Sequence, residues 1–225
     1  MNEKNENEAD VQTVKEAVQE AAEQSDSIRD EVRNITLQAL SQGQLDVEKI
    51  KQVTREVMEG ATLGAEARGA RIKESLSEAV AGLDEALTTS VEASKLALEE
   101  VAGEVEQFGK QDLKRALDEL LLLEDMFLDT IKSVATASDD LVKQTLDDLV
   151  QHARNSGTGV GRRSADVVER VNRSVGVTLR EGVAVGSNAA LNVGSRLSLA
   201  AAGFLEGLAE TLARKTAAHS HEKKG

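Results

Sequence analysis

The chain has 225 residues, with 27 Lys and Arg against 40 Asp and Glu for a formal net charge of −13, and it contains no Pro, Cys, Trp or Tyr and only three Phe. The absence of cysteine excludes a disulfide framework, a thiolate metal site and a cysteine nucleophile. With so few aromatics, which supply the largest buried areas, an elongated helical assembly is expected in place of a thick globular core.

Proline normally makes up about 5% of residues, and without it nothing interrupts a helix by removing a backbone donor and clashing one turn back. The predicted fold class is all-α: an elongated bundle of long antiparallel amphipathic helices built from Leu, Val and Ala. The charge is unevenly spread. Residues 1–150 hold 16 basic and 34 acidic side chains, and residues 151–225 hold 11 and 6. An acidic body of −18 therefore carries a C-terminal third of +5, which suits an anionic surface or the body itself.

Residues 1–10, MNEKNENEAD, read as a disordered acidic leader. They lack the basic and apolar regions of a secretion signal, so the cytoplasm is the expected compartment, with association to a granule or membrane surface. Residues 11–154 read as the acidic helical region. It opens with an amphipathic segment from Val11 to Gln24, and Ser25-Asp26-Ser27 supplies capping chemistry for a second from Ile28 to Ser41. Gln42-Gly43-Gln44 ends that one, and Asp46 caps a helix expected to run unbroken to Gly109.

The long helix carries an eleven-residue repeat. Residues 72–82 (IKESLSEAVAG), 83–93 (LDEALTTSVEA) and 94–104 (SKLALEEVAGE) align Leu76, Leu87 and Leu98 in one column. A second column holds Ile72, Leu83 and Ser94, and a third Val80, Val91 and Ala102. Eleven residues in three turns is close to the period of an undistorted helix, so the stripe stays nearly straight instead of supercoiling to the left. Such a stripe suits a broad flat surface or a straight bundle.

Residues 113–134 are the most apolar of the body. Leu113, Leu117, Leu120, Phe127, Ile131 and Val134 follow helical spacing, and Leu121, Leu122, Leu123, Met126 and Leu128 widen the face. A helix apolar around most of its circumference is expected at the centre of a bundle or of a self-association interface. Ser138-Asp139-Asp140 recaps the chain before a segment from Leu141 to His152.

Residues 155–161, NSGTGVG, read as a Gly/Ser linker. Residues 162–215 then read as one long amphipathic helix, with residues 216–225 a disordered tail. Val168, Val171, Val175, Leu179, Val183, Val193, Leu197, Phe204 and Leu208 recur every three or four residues or at multiples of that spacing, and Arg162, Arg163, Arg170, Arg173 and Arg180 occupy the opposite arc. Between Glu181 and Glu206 the only charge is Arg196. A membrane span is excluded by composition, because Ser187, Asn188, Asn192, Ser195, Arg196 and Ser198 interrupt this run. A central Arg alone costs roughly 2.5–3.5 kcal/mol on insertion scales. Gly182 and Gly186, Ala190 and Gly194, and Gly203 and Gly207 are each four apart, so one stripe allows close helix packing. The opposing reading is an interfacial helix lying on an anionic surface.

Catalytic chemistry is sparse. Three histidines exist, His152, His219 and His221, and no Glu-x-x-His pair, so a bundle di-iron site lacks its ligands. Asp148 and His152 are one turn apart and read as a solvated face, as do the acidic runs Asp139-Asp140, Asp147-Asp148 and Glu124-Asp125 with Asp129. Gly157-Thr-Gly159-Val-Gly161 precedes a helix but lacks the strand and lysine of a phosphate loop. The basic residues Arg154, Arg162, Arg163, Arg170 and Arg173 have no aromatic stacking platform, which weighs against nucleic acid. No cofactor or metal is expected, and the chain is expected to be non-enzymatic.

In its proline-free amphipathic helices, such as EAVQEAAEQ (residues 16–24) and SLSEAVAGLDEAL (residues 75–87), the chain resembles the phasins, helical proteins that coat polyester granules in bacteria. The repeat in Leu76–Val105 is similar to those of exchangeable apolipoproteins and late-embryogenesis-abundant proteins. These resemblances imply a protein that coats an apolar granule or lipid surface, or packs on partner helices as a homo-oligomer. The residues expected to do so are Leu76, Val80, Leu83, Leu87, Leu98, Leu120, Phe127, Ile131, Val193, Leu197, Phe204 and Leu208, with Arg162, Arg163, Arg170, Arg173 and Arg180 meeting an anionic surface. The alternative is a structural bundle that oligomerises and touches no lipid.

Overall fold

A computed structural model describes residues 3–41, 47–103 and 110–175. Every regular element in them is helical: α1 (Glu3–Gln24), α2 (Ile28–Ser41), α3 (Val47–Ala67), a 3-10 turn (Gly69–Arg71), α4 (Ile72–Gly103), α5 (Lys110–Ala137), α6 (Asp140–Ser156) and α7 (Gly159–Val175). The fold class is all-α. Helix α1 begins at Glu3, inside the stretch expected to be a disordered leader. The expected arm from residue 176 to 215 lies outside the described residues.

Local chemistry sets several of these boundaries. Ser27 leads into α2 through the Glu31 N–H donating to its carbonyl at 3.1 Å, and its own N–H donates to Ser25 Oγ at 2.9 Å. Asp139 caps α6: its backbone is extended and its side chain accepts from the Val142 N–H at 3.2 Å, satisfying one of the orphan donors of a helix start. One boundary corrects the sequence reading. The helix expected to run from Asp46 to Gly109 stops at Ala67, because Gly69 takes φ +58, a left-handed conformation that ends helices and suits glycine. The eleven-residue columns therefore belong to a separate helix, α4, of 32 residues.

Helices α1 and α3, two apart in chain order, pack side by side. Lys15 donates to Glu59 at 2.8 Å, and Arg68, just past α3, donates to the Glu23 carbonyl at 2.9 Å. The partners advance together, so α1 and α3 run parallel. They also run very close: a Cβ on Gly64 would sit 2.7 Å from Ala22 Cβ, and one on Gly60 would sit 3.1 Å from Val18 Cβ. The GATLG sequence of α3 thus supplies the small-residue stripe that lets two helix backbones approach. Gly82 of α4 does the same against the Arg29 backbone of α2.

One hydrophobic cluster joins all the helices, from Val18 of α1 through Leu40, Met58, Leu76, Leu87, Phe127 and Leu146 to Val171 of α7. Most of its members are aliphatic, and burying each contributes about 1.5–3 kcal/mol for a Val, Leu or Ile side chain. Among the described residues Phe127 is the bulkiest fully buried side chain, in keeping with the scarcity of aromatics.

Candidate functional site

The surface-binding residues expected from the stripes are mostly inside. Leu76, Leu83, Leu87 and Leu98 of α4 and Leu120, Phe127 and Ile131 of α5 are buried, and Val80 is half-buried. Val193, Leu197, Phe204, Leu208 and Arg180 lie outside the described residues. Helix α5 corrects the expectation of a helix apolar around its circumference. Its Leu113, Leu117, Leu120, Leu123, Phe127 and Leu128 face the core, but Leu121 and Leu122 are 48% and 59% exposed. The run of four leucines spans more than half a turn, and the surplus points to solvent.

The most elaborate polar arrangement lies where α6 passes to α7. The expected linker at 155–161 narrows to Gly157 and Thr158, since 155–156 finish α6 and 159–161 begin α7. Gly157 adopts φ +75 and its N–H donates to the Ala153 carbonyl at 2.7 Å, closing α6. The next four N–H groups have no carbonyl within their own helix, and each finds a carboxylate or hydroxyl. Thr158 N–H donates to Glu124 Oε1 at 2.8 Å. Gly159 N–H donates to Asp84 Oδ2 at 2.7 Å and Val160 N–H to Asp84 Oδ1 at 2.8 Å. Gly161 N–H donates to Thr158 Oγ1 at 2.9 Å, while that hydroxyl donates to Glu124 Oε1 at 2.8 Å. The accounting of donors is complete.

Two carboxylates from α4 and α5 therefore pin the start of α7, where the helix dipole favours negative charge. The glycines are required by proximity. A Cβ on Gly159 would sit 2.7 Å from Asp84 Oδ2 and 2.9 Å from Thr88 Oγ1, and one on Gly161 would overlap the Glu124 carboxylate. The donors that a phosphate loop would offer an anion are occupied by the protein's own acids. Glu124 was expected on a solvated face and instead turns inward, whereas its neighbour Asp125 is exposed and Asp129 pairs with Arg154 at 3.0 Å. Asp84 escaped the sequence reading. The signal available was that Asp84 and Thr88, one turn apart, border the inward arc of Leu83, Leu87 and Val91.

Four members of the expected arginine face, Arg162, Arg163, Arg170 and Arg173, lie in α7, and each is engaged within the protein. Arg162 donates to the Gly157 carbonyl at 3.0 Å. Arg163 reaches Glu92 of α4 and also Asp166, the latter at 3.0 Å. Arg170 pairs with Asp166 at 2.9 Å, and Arg173 pairs with Glu169. The hydrogen bond from Arg170 holds the Asp166 carboxyl below the usual carboxylate range, with Arg170, Arg163 and Lys95 adding their charge. Elsewhere, burial and the neighbouring Glu59 push the Glu56 carboxyl up, and the hydrogen bond to Glu59 raises the Lys15 ammonium.

Asp148 and His152 are both exposed on α6, and among the described residues no group of three or more His, Asp or Glu side chains is gathered to hold a metal ion. No helix among the described residues is long and apolar enough to cross a membrane. Residues 4–214 match the sequence profile of a family of unknown function, DUF6781. No curated protein and no solved structure matches the chain.

Proposed function

The chain belongs to that family, and from its own geometry we propose that it is a non-enzymatic helical protein in which a bundle serves as base and the C-terminal third attaches to an apolar surface, a lipid layer or a polyester granule of the kind phasins coat. The observation that carries this reading is burial. The α4 and α5 stripes that qualify as surface-seeking in sequence are already covered by neighbouring helices. Binding through Leu76, Leu83, Leu87 or Phe127 therefore requires the bundle to open. The sequence retains one further stripe, with its charge-poor run at 182–205 and an arginine arc beside it. Interfacial helices combine those two features.

The test is flotation with neutral vesicles, anionic vesicles and polyester granules, comparing the full chain with one ending at Val175. Co-flotation of the full chain alone supports the reading. Equal flotation of both places attachment in the bundle, and flotation of neither refutes surface association. A second reading, self-association without lipid, draws on Leu121 and Leu122, adjacent exposed leucines on an otherwise charged face of α5.

A further inference from the structure

Helix α7 is seated by one pair of helices and tethered to another. Among the described residues it packs on α4 and α5, and α6, the helix before it in the chain, is not one of its packing partners. The polar groups that hold it come from the same two helices: Asp84 and Glu124 at its first turn, and Glu92 at Arg163. Arg162, Arg170 and Arg173 take no part in this, since they bond to the Gly157 carbonyl, Asp166 and Glu169. The tie to α6 is a connection of two residues, Gly157 and Thr158. Gly157 holds φ +75 and ψ 155, a conformation open essentially only to glycine. Everything that seats α7 on α4 and α5 is therefore satisfied equally by the α7 of another copy, and the path of two residues alone decides which copy supplies it.

We infer that α7 is an exchanged element: in a two-fold dimer each copy of the chain lays its α7 in the α4–α5 groove of the other, with Gly157 turning to carry the chain across. This deepens the self-association reading and rests on it. Two observations favour a second copy. Thr88 Oγ1 of α4 and Ser164 Oγ of α7 are buried without a hydrogen-bond partner among the described residues, which lowers the cost of lifting α7 from its groove. Leu121 lies one turn before Glu124 on α5 and is 48% exposed, so an apolar side chain stands open beside the turn where the chain crosses. Exchange replaces each seating contact by its equal, which makes it a low-cost route to a dimer. What it gives up is the high effective concentration of a tethered helix, so the dimer grows with protein concentration.

The absence of cysteine makes a direct test possible in the full chain. The Gly159 Cβ position lies 2.9 Å from Thr88 Oγ1, within reach of a disulfide, whose Cβ atoms stand about 3.8 Å apart. One chain carries T88C and another, with a size tag, carries G159C. The two are unfolded in urea, mixed, refolded together at high concentration and oxidised, so that a mixed disulfide reports α7 of one copy in the groove of the other. E92R and R163E, again in separate chains, form a second pair that needs no new bond. Each alone sets like charges across the α4–α7 contact, and exchange between the two kinds of chain restores opposite charges at both contacts. Sedimentation of the wild-type chain over a range of concentrations gives its oligomeric state.

Three results are expected. The wild-type chain dimerises as its concentration rises, T88C links to G159C far more than either links to itself, and the mixture of E92R with R163E dimerises at lower concentration than either variant alone. With a wild-type dimer in hand, the mixed disulfide or the charge rescue establishes exchange. A wild-type dimer with neither overturns exchange and leaves self-association intact. A wild-type chain that stays monomeric at every concentration overturns both.

Discussion

Replacing Gly64 by alanine sets two well-characterised effects against each other. In an isolated helix the change is favourable by about 1 kcal/mol, since alanine is the better helix former. Here the new Cβ would lie 2.7 Å from Ala22 Cβ and closer still to the Gln19 carbonyl oxygen of α1. Ordinary carbon–carbon contacts are about 3.5–4.0 Å, so α1 must move outward by roughly 1 Å. The obstacle includes backbone, which cannot rotate aside. Overpacking of this kind costs about 1–3 kcal/mol, and the shift also loosens Val18, Ala21 and Ala22, all buried where α1 meets the core. The net expectation is a loss of roughly 1–2 kcal/mol, lowering the melting temperature by about 2–8 °C for a chain of this length. Urea denaturation followed by circular dichroism measures it. Equal or greater stability for G64A would refute the close parallel packing of α1 on α3.

Three further outcomes follow from burial and charge. F127A, at a side chain 1% exposed, is expected to cost about 3–5 kcal/mol. L122A, five residues earlier on the same helix but 59% exposed, is expected to stay within about 0.5 kcal/mol, and light scattering of L122A shows whether that face joins two copies of the chain. E56Q removes a carboxylate whose pKa burial and Glu59 raise, while Lys15 and Arg55 partly offset them. A carboxyl with a raised folded-state pKa stabilises the protein when protonated, and that contribution fades as pH rises through the folded value. E56Q should therefore be more stable than the parent at neutral pH, with the difference closing as Glu56 protonates in acid. A constant difference across that range would refute the assignment.

Sequence alone determined the all-α class, because the absence of proline and the spacing of Leu76, Leu83, Leu87, Leu120, Phe127 and Ile131 are local properties of one helix and its period. It also marked capping chemistry at Ser25-Asp26-Ser27 before α2 and at Ser138-Asp139-Asp140 before α6, since a cap is a bond between near neighbours, and the structure singled out Asp139. Only the tertiary structure decided what those stripes face, because an apolar arc has the same pattern whether a membrane, a second copy or a neighbouring helix covers it. The parallel run of α1 with α3 depends on Gly60 and Gly64 meeting backbone some 45 positions away. The same is true of Asp84 and Glu124, whose carboxylates read as ordinary surface charge until α7 brings its unpaired N–H groups to them. Periodicity says which arc of a helix avoids water, and it is the partner across the interface, distant in sequence, that supplies the reason for Gly60 and Gly64 and for the half-buried Asp84 and Glu124.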